Sequence, residues 1–95
     1  MTIYDQIAIQ IIKEQELLMG PVAWRQASAV NGLKIIDVKK GIVSIKEGKD
    51  SETVLNDLVE RFGSLFGPAG REVCKEAVSA LVADLKPSQV PSSLK

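Results

Sequence analysis

A Gly-Pro pair occurs twice in this chain, at Gly20-Pro21 and at Gly67-Pro68, each time between two stretches with helical apolar spacing. Glycine readily adopts the positive φ that a helix C-cap requires, and proline is tolerated in the first turn of a helix, where its missing N–H is not needed. Each pair can therefore end one helix and begin the next without a linker. The sequence predicts two helix–Gly-Pro–helix corners.

Apolar residues recur at helical spacing on both sides of each pair, which predicts four helices. The first stretch also contains alternating isoleucines, which are typical of a strand, but its uninterrupted length favours a helix. The four helices are expected at about residues 2–19, 21–30, 51–66 and 68–86.

Between the two helical pairs, residues 33–47 change to the alternating pattern of strands, interrupted by Lys40-Gly41. Short β-branched runs around a glycine-containing turn are typical of an antiparallel hairpin. A two-residue turn at Lys40-Gly41 would direct one β-branched face towards the helices. The register that this turn predicts pairs Val38 with Val43, Ile36 with Ile45, and Lys34 with Glu47.

The predicted fold is therefore α+β, with four helices and a central two-stranded antiparallel β-hairpin in the order ααββαα. The chain has 95 residues, of which 45% are apolar, enough for one modest core. We expect residues 1–86 to form a single globular domain, and residues 87–95, rich in proline and serine, to form a flexible tail.

The residue inventory offers little for catalysis or metal binding. The sequence has no histidine, the commonest general base and metal ligand. Its one cysteine, Cys74, lies on the apolar side of the fourth helix, which predicts a buried and inert thiol. Glu72 and Glu76 have basic neighbours and are typical of a solvated helix face. We therefore predict a protein that is not an enzyme and has neither a cofactor nor a metal site.

Charge makes nucleic acid a possible but not a favoured partner. Twelve basic residues balance twelve acidic ones, whereas a domain that neutralises phosphates usually has a basic excess. The hairpin, residues 33–49, nevertheless carries five lysines and only two acidic residues. Lysine on a strand also discourages edge pairing. A DNA-binding transcriptional regulator that uses this hairpin or a helix corner is thus an alternative.

The sequence indicates a cytoplasmic protein with no membrane partner. It begins with no signal-peptide pattern, and no stretch approaches the roughly 18 apolar residues of a membrane span. The single cysteine also rules out an internal disulfide bond, the usual stabilising device of small secreted domains.

An isolated hairpin is marginally stable, and this one is expected to leave Leu33 and Ile35 on its second face. We predict that these two residues bind a partner together with Lys39 and Lys40 of the turn and with Trp24, the only tryptophan, a residue type enriched in interfaces. The expected function is a small regulatory or adaptor module that acts by protein–protein interaction, as a homodimer. A small apolar-ligand-binding protein, with a pocket among the helices, is a further alternative.

Overall fold

The chain folds into four helices and one antiparallel hairpin. In the computed structural model, which describes residues 2–95 apart from the side chain of Phe66, the order helix-helix-strand-strand-helix-helix confirms the predicted α+β fold. The helices and strands are α1 (Ile3–Met19), α2 (Val22–Ser28), β1 (Leu33–Asp37), β2 (Ile42–Ile45), α3 (Ser51–Phe66) and α4 (Pro68–Val82).

Both Gly-Pro pairs form helix corners. Gly20 ends α1 with φ 72° and Gly67 ends α3 with φ 65°, the left-handed conformation that glycine adopts without strain. Pro68 is the first residue of α4, whereas Pro21 lies one residue before α2 and serves as its N-cap. The two corners are confirmed, and α2 is shorter than the expected 21–30.

Helix α1 lies at the centre of the molecule and packs against α2, α3, α4 and β2. The core that it shares with these elements is mainly aliphatic, as the composition indicates. Its largest fully buried apolar side chains are Phe62, Ile7, Ile11, Ile12, Leu55, Leu58, Val43, Val59 and Val78.

A buried carboxylate joins the start of α1 to the hairpin. Asp5 and Thr2 form a capping box at the N-terminus of α1. The other carboxylate oxygen of Asp5, Oδ1, accepts a hydrogen bond from the backbone N–H of Ile45 at 2.8 Å. That N–H lies on the edge of β2 that has no strand neighbour. Asp5 therefore satisfies a donor of the sheet edge and fixes the hairpin on α1.

The predicted hairpin register is wrong. The observed pairs are Leu33 with Ile45, Lys34 with Ser44, Ile35 with Val43, and Asp37 with Ile42, with a bulge between Ile35 and Asp37. The strands are joined by the four residues 38–41, not by a two-residue turn. Asp37 stabilises this longer turn, because its Oδ1 accepts a hydrogen bond from the backbone N–H of Lys40 at 3.1 Å.

The changed register redistributes the apolar side chains of β1 between the two faces. Leu33 and Val43 lie in the core, and Ile35 and Ile45 are partly buried against it. Ile36 and Val38, which were expected to face the helices, are instead 57% and 53% exposed. The outer face of the hairpin therefore carries Ile36 and Val38 in place of the expected Leu33 and Ile35.

Residues 83–95 differ from the prediction in two ways. Helix α4 ends at Val82, four residues before the expected end, and the following segment forms two short 3₁₀ turns, Pro87–Gln89 and Ser92–Leu94. Leu94 is buried, and the backbone N–H of Ser93 donates to Asn56 Oδ1 of α3 at 3.1 Å. The prediction of a flexible tail did not include these contacts, because a proline- and serine-rich composition does not reveal a docking leucine.

Candidate functional site

The structure separates the five residues that the sequence assigns to partner binding. Trp24 is 5% exposed and Leu33 is 4% exposed, so both side chains lie in the core and not on the surface of the protein. Ile35 is half-buried. Only Lys39 and Lys40, in the hairpin turn, are exposed.

Burial of Trp24 has a clear local cause. Its ring packs beneath the hairpin turn, where a Cβ on Gly41 would lie 3.5 Å from Trp24 Cη2. Its indole Nε1–H donates to Glu16 Oε2 at 2.6 Å, which satisfies the one polar atom of the ring. Trp24 is thus a core residue at the edge of a groove. The prediction that Trp24 binds a partner did not include this contact with the turn, whose position depends on the hairpin register.

The exposed apolar surface comes from other residues, at the end of α1 and on the outer face of the hairpin. Leu17 is 79% exposed and Leu18 is 57% exposed. The sequence does contain a signal for this, because Leu17, Leu18 and Met19 are consecutive, and a helix cannot direct three consecutive side chains to one core face.

Leu17 and Leu18 line two neighbouring grooves, one of which reaches the hairpin. Leu17 and Val38 line the same groove, of about 420 Å³, between α1 and the turn. Leu17 also lines a neighbouring groove of about 390 Å³ with Leu18, on the side of α4. Ile36 lies two residues before Val38 and is exposed as well. We call Leu17, Leu18, Ile36 and Val38 the apolar patch.

Charges of both signs surround the groove between Leu17 and Val38. Lys13, Lys39 and Lys40 line it together with Glu14 and Glu16. Over residues 2–95, the ion pairs are Arg71 with Glu60 and Lys75 with Glu72, so none of these three lysines is paired. The rim can therefore attract a surface that carries the same mixture of charges.

Further lysines lie along the hairpin. Outside the turn, Lys34, Lys46 and Lys49 are exposed, as are Lys39 and Lys40 within it.

A buried polar contact joins α1 to α4. Gln15 is fully buried, and its Nε2 donates to the carbonyl oxygen of Gly70 at 3.1 Å and to Cys74 Sγ at 3.4 Å. Gln15 Oε1 has no hydrogen-bond partner within the part of the chain that the structure describes. Burial raises the pKa of the Cys74 thiol, because desolvation disfavours the thiolate more than the Gln15 hydrogen bond favours it. The burial of Cys74 is confirmed, and the predicted inertness of its thiol follows from this burial.

Labelling of Cys74 is therefore expected to be slow. In the folded protein at pH 8, a disulfide reagent such as 5,5′-dithiobis(2-nitrobenzoate) should react at least about a hundredfold more slowly than in concentrated urea, because both burial and the raised pKa deplete reactive thiolate. The released chromophore gives the rate directly. Equal rates in the two solvents would show that the thiol is accessible in the native state.

Two general features of the described residues bear on function. None of the described helices has both the length and the apolar content required to cross a bilayer. Residues 2–95 also contain no cluster of three or more acidic or cysteine side chains that could hold a metal ion.

Comparison of the chain with models of protein families, with curated proteins and with solved structures finds no match.

Proposed function

We propose that this protein is a small non-enzymatic regulatory or adaptor module that acts by protein–protein interaction, as a homodimer joined through the apolar patch. The observation that carries the proposal is Leu17, whose side chain is 79% exposed beside two further exposed apolar residues, Leu18 and Val38. Full burial of one such side chain contributes about 1.5–3 kcal/mol. Contiguous exposed apolar residues with a polar rim are typical of interaction surfaces.

The charges around the patch favour a second copy as the partner. In a twofold dimer, both copies use the same surface. A contact between residue i of the first copy and residue j of the second is therefore repeated between residue j of the first and residue i of the second. Lys39 and Lys40 lie on the hairpin side of the groove and Glu14 on the α1 side. A twofold arrangement can thus bring the lysines of each copy to the glutamate of the other. The net charge of zero adds no long-range repulsion between copies.

The hairpin provides a second reason for self-association. The sheet has two strands, so the outer edge of β1 has no strand neighbour. On β2, Asp5 satisfies the outward N–H of Ile45, but β1 has exposed Lys34 and Ile36 on its outer face, and exposed Val38 directly follows the strand. Apolar residues on an open strand are the surface that a partner strand or sheet covers.

Leu17→Glu is expected to convert a dimer into a monomer. The wild-type protein should have the mass of a dimer at about 100 μM by size-exclusion chromatography with light scattering, and the variant should have the mass of one chain. The glutamate places a charge where the proposed interface is apolar, and burial of an unpaired charge is strongly unfavourable. Because Leu17 is exposed, the fold of the monomer does not depend on it.

Leu65→Glu is the matched control. Leu65 is also an exposed leucine near a helix C-terminus, but it lies on α3, outside the apolar patch. This variant should remain a dimer. A wild-type protein that is monomeric at about 100 μM, or loss of the dimer in both variants alike, would contradict the proposal.

Nucleic-acid binding is the second candidate, and one observation favours it: the five hairpin lysines are all exposed. The apolar side chains of Ile36 and Val38 beside them speak against a phosphate-binding surface. A gel-shift assay with mixed-sequence DNA distinguishes the two candidates. Binding that weakens steeply with salt would favour the second.

A further inference from the structure

A second groove lies between α1, α4 and the hairpin turn, and it shares Gln10, Lys13, Lys40 and Gly41 with the groove around Leu17. Its volume is about 500 Å³, within the range of small-molecule sites. Three half-buried apolar side chains, Ile9 of α1 and Ala77 and Leu81 of α4, line its walls. Ala80 also lines it, and the methyl groups of the two alanines leave its centre open.

Two lysines lie at one rim of this groove, Lys13 from α1 and Lys40 from the turn. Gly41 brings them together: a Cβ at that position would lie 2.8 Å from Lys13 Cε and 3.7 Å from Lys13 Nζ. The end of the Lys13 side chain therefore lies against the turn, beside Gly41, which directly follows Lys40. No other residue could replace Gly41 without displacing Lys13.

The charge of this groove is of one sign only. The described residues that line it include these two lysines and no carboxylate, in contrast to the mixed rim around Leu17. Neither lysine has an ion-pair partner elsewhere in the described chain. An apolar cleft with two unpaired lysines in its lining is complementary to an apolar molecule with one anionic end.

We propose that this groove binds a small amphipathic monocarboxylate, with its apolar chain along Ile9 and Ala80 and its carboxylate between Lys13 and Lys40. The volume of about 500 Å³ and the two lysines at one rim favour a small anionic molecule as the occupant. This site goes beyond the proposed dimer, and it shares Lys40 with the surface proposed for the dimer.

Decanoate is the probe for this proposal. Titration of the wild-type protein with sodium decanoate, below its micelle concentration, should give saturable binding by calorimetry. The emission of Trp24 should change as well, because this ring lies beneath Gly41 at the rim of the groove. The alcohol 1-decanol, which has the same chain without the charge, should bind about tenfold more weakly.

Two variants test the two halves of the site. Lys13→Gln combined with Lys40→Gln should weaken decanoate binding about tenfold or more and leave 1-decanol binding unchanged. Ala80→Phe should abolish binding of both, because the ring fills the centre of the groove. Both lysines and Ala80 are exposed, so these variants are expected to fold, which far-UV circular dichroism checks.

Exposed residues outside the groove provide matched controls. Lys46→Gln combined with Lys49→Gln removes an equal charge, and Ala69→Phe places the same ring in the first turn of the same helix. Both should bind decanoate like the wild type. The proposal is overturned if decanoate shows no saturable binding, if 1-decanol binds equally well, or if Ala80→Phe and Ala69→Phe behave alike.

Discussion

Phe62→Ala is expected to lower the free energy of unfolding by about 3–5 kcal/mol, the usual cost of removing a buried aromatic ring. Phe62 is the largest of the fully buried side chains and lies on α3, which packs against α1, α2 and α4. Removal of its ring therefore leaves a cavity where several helices meet, and the surrounding side chains cannot all move to fill it. The loss is a large part of the roughly 5–15 kcal/mol that stabilises a typical domain.

Urea denaturation, monitored by circular dichroism, measures this loss. The urea concentration at the unfolding midpoint should fall, while the dependence of the unfolding free energy on urea concentration stays the same. Leu65→Ala on the same helix is the control, because Leu65 is 48% exposed and should cost less than about 1 kcal/mol. If the two variants lose similar amounts of stability, α3 is not oriented with Phe62 towards the core.

The helix corners could be predicted because their chemistry is local. At Gly20 and at Gly67, a positive φ ends one helix, and the proline that follows allows the next helix to begin. The hairpin register, in contrast, depends on a choice between two turns. Because β1 carries apolar residues on both faces, the pattern fits either register equally well, and the hydrogen bond from Lys40 N–H to Asp37 selects the longer turn.

The candidate site could be predicted only in part, for the same reason. The turn lysines are exposed in either register, so their exposure followed from the sequence. The exposed and buried faces of β1 exchange with the register, which moved Leu33 into the core and Ile36 to the surface. Buried polar residues were missed for another reason. Asp5 and Gln15 are inside because of partners 40 or more residues away in the chain, which no local pattern shows.

Gly32→Ala is expected to cost about 2–5 kcal/mol of unfolding free energy. Gly32 has φ 91°, a conformation that costs an L-residue about 1–2 kcal/mol. It is also buried, and a Cβ there would lie 2.7 Å from Val54 Cγ2, so that the methyl group overpacks the start of α3 at a further cost of about 1–3 kcal/mol. Val54 is itself a core residue with little room to move.

Gly48→Ala separates these two costs, because Gly48 has a similar φ of 82° but no atom within 4 Å of the added methyl group. It should lose only the conformational part, about 1–2 kcal/mol. The difference between the two variants in urea denaturation then measures the clash with Val54 alone. Adding Val54→Ala to Gly32→Ala should recover part of that difference, since the shorter side chain removes the clashing atom, and a double variant whose losses simply add would place Gly32 away from α3.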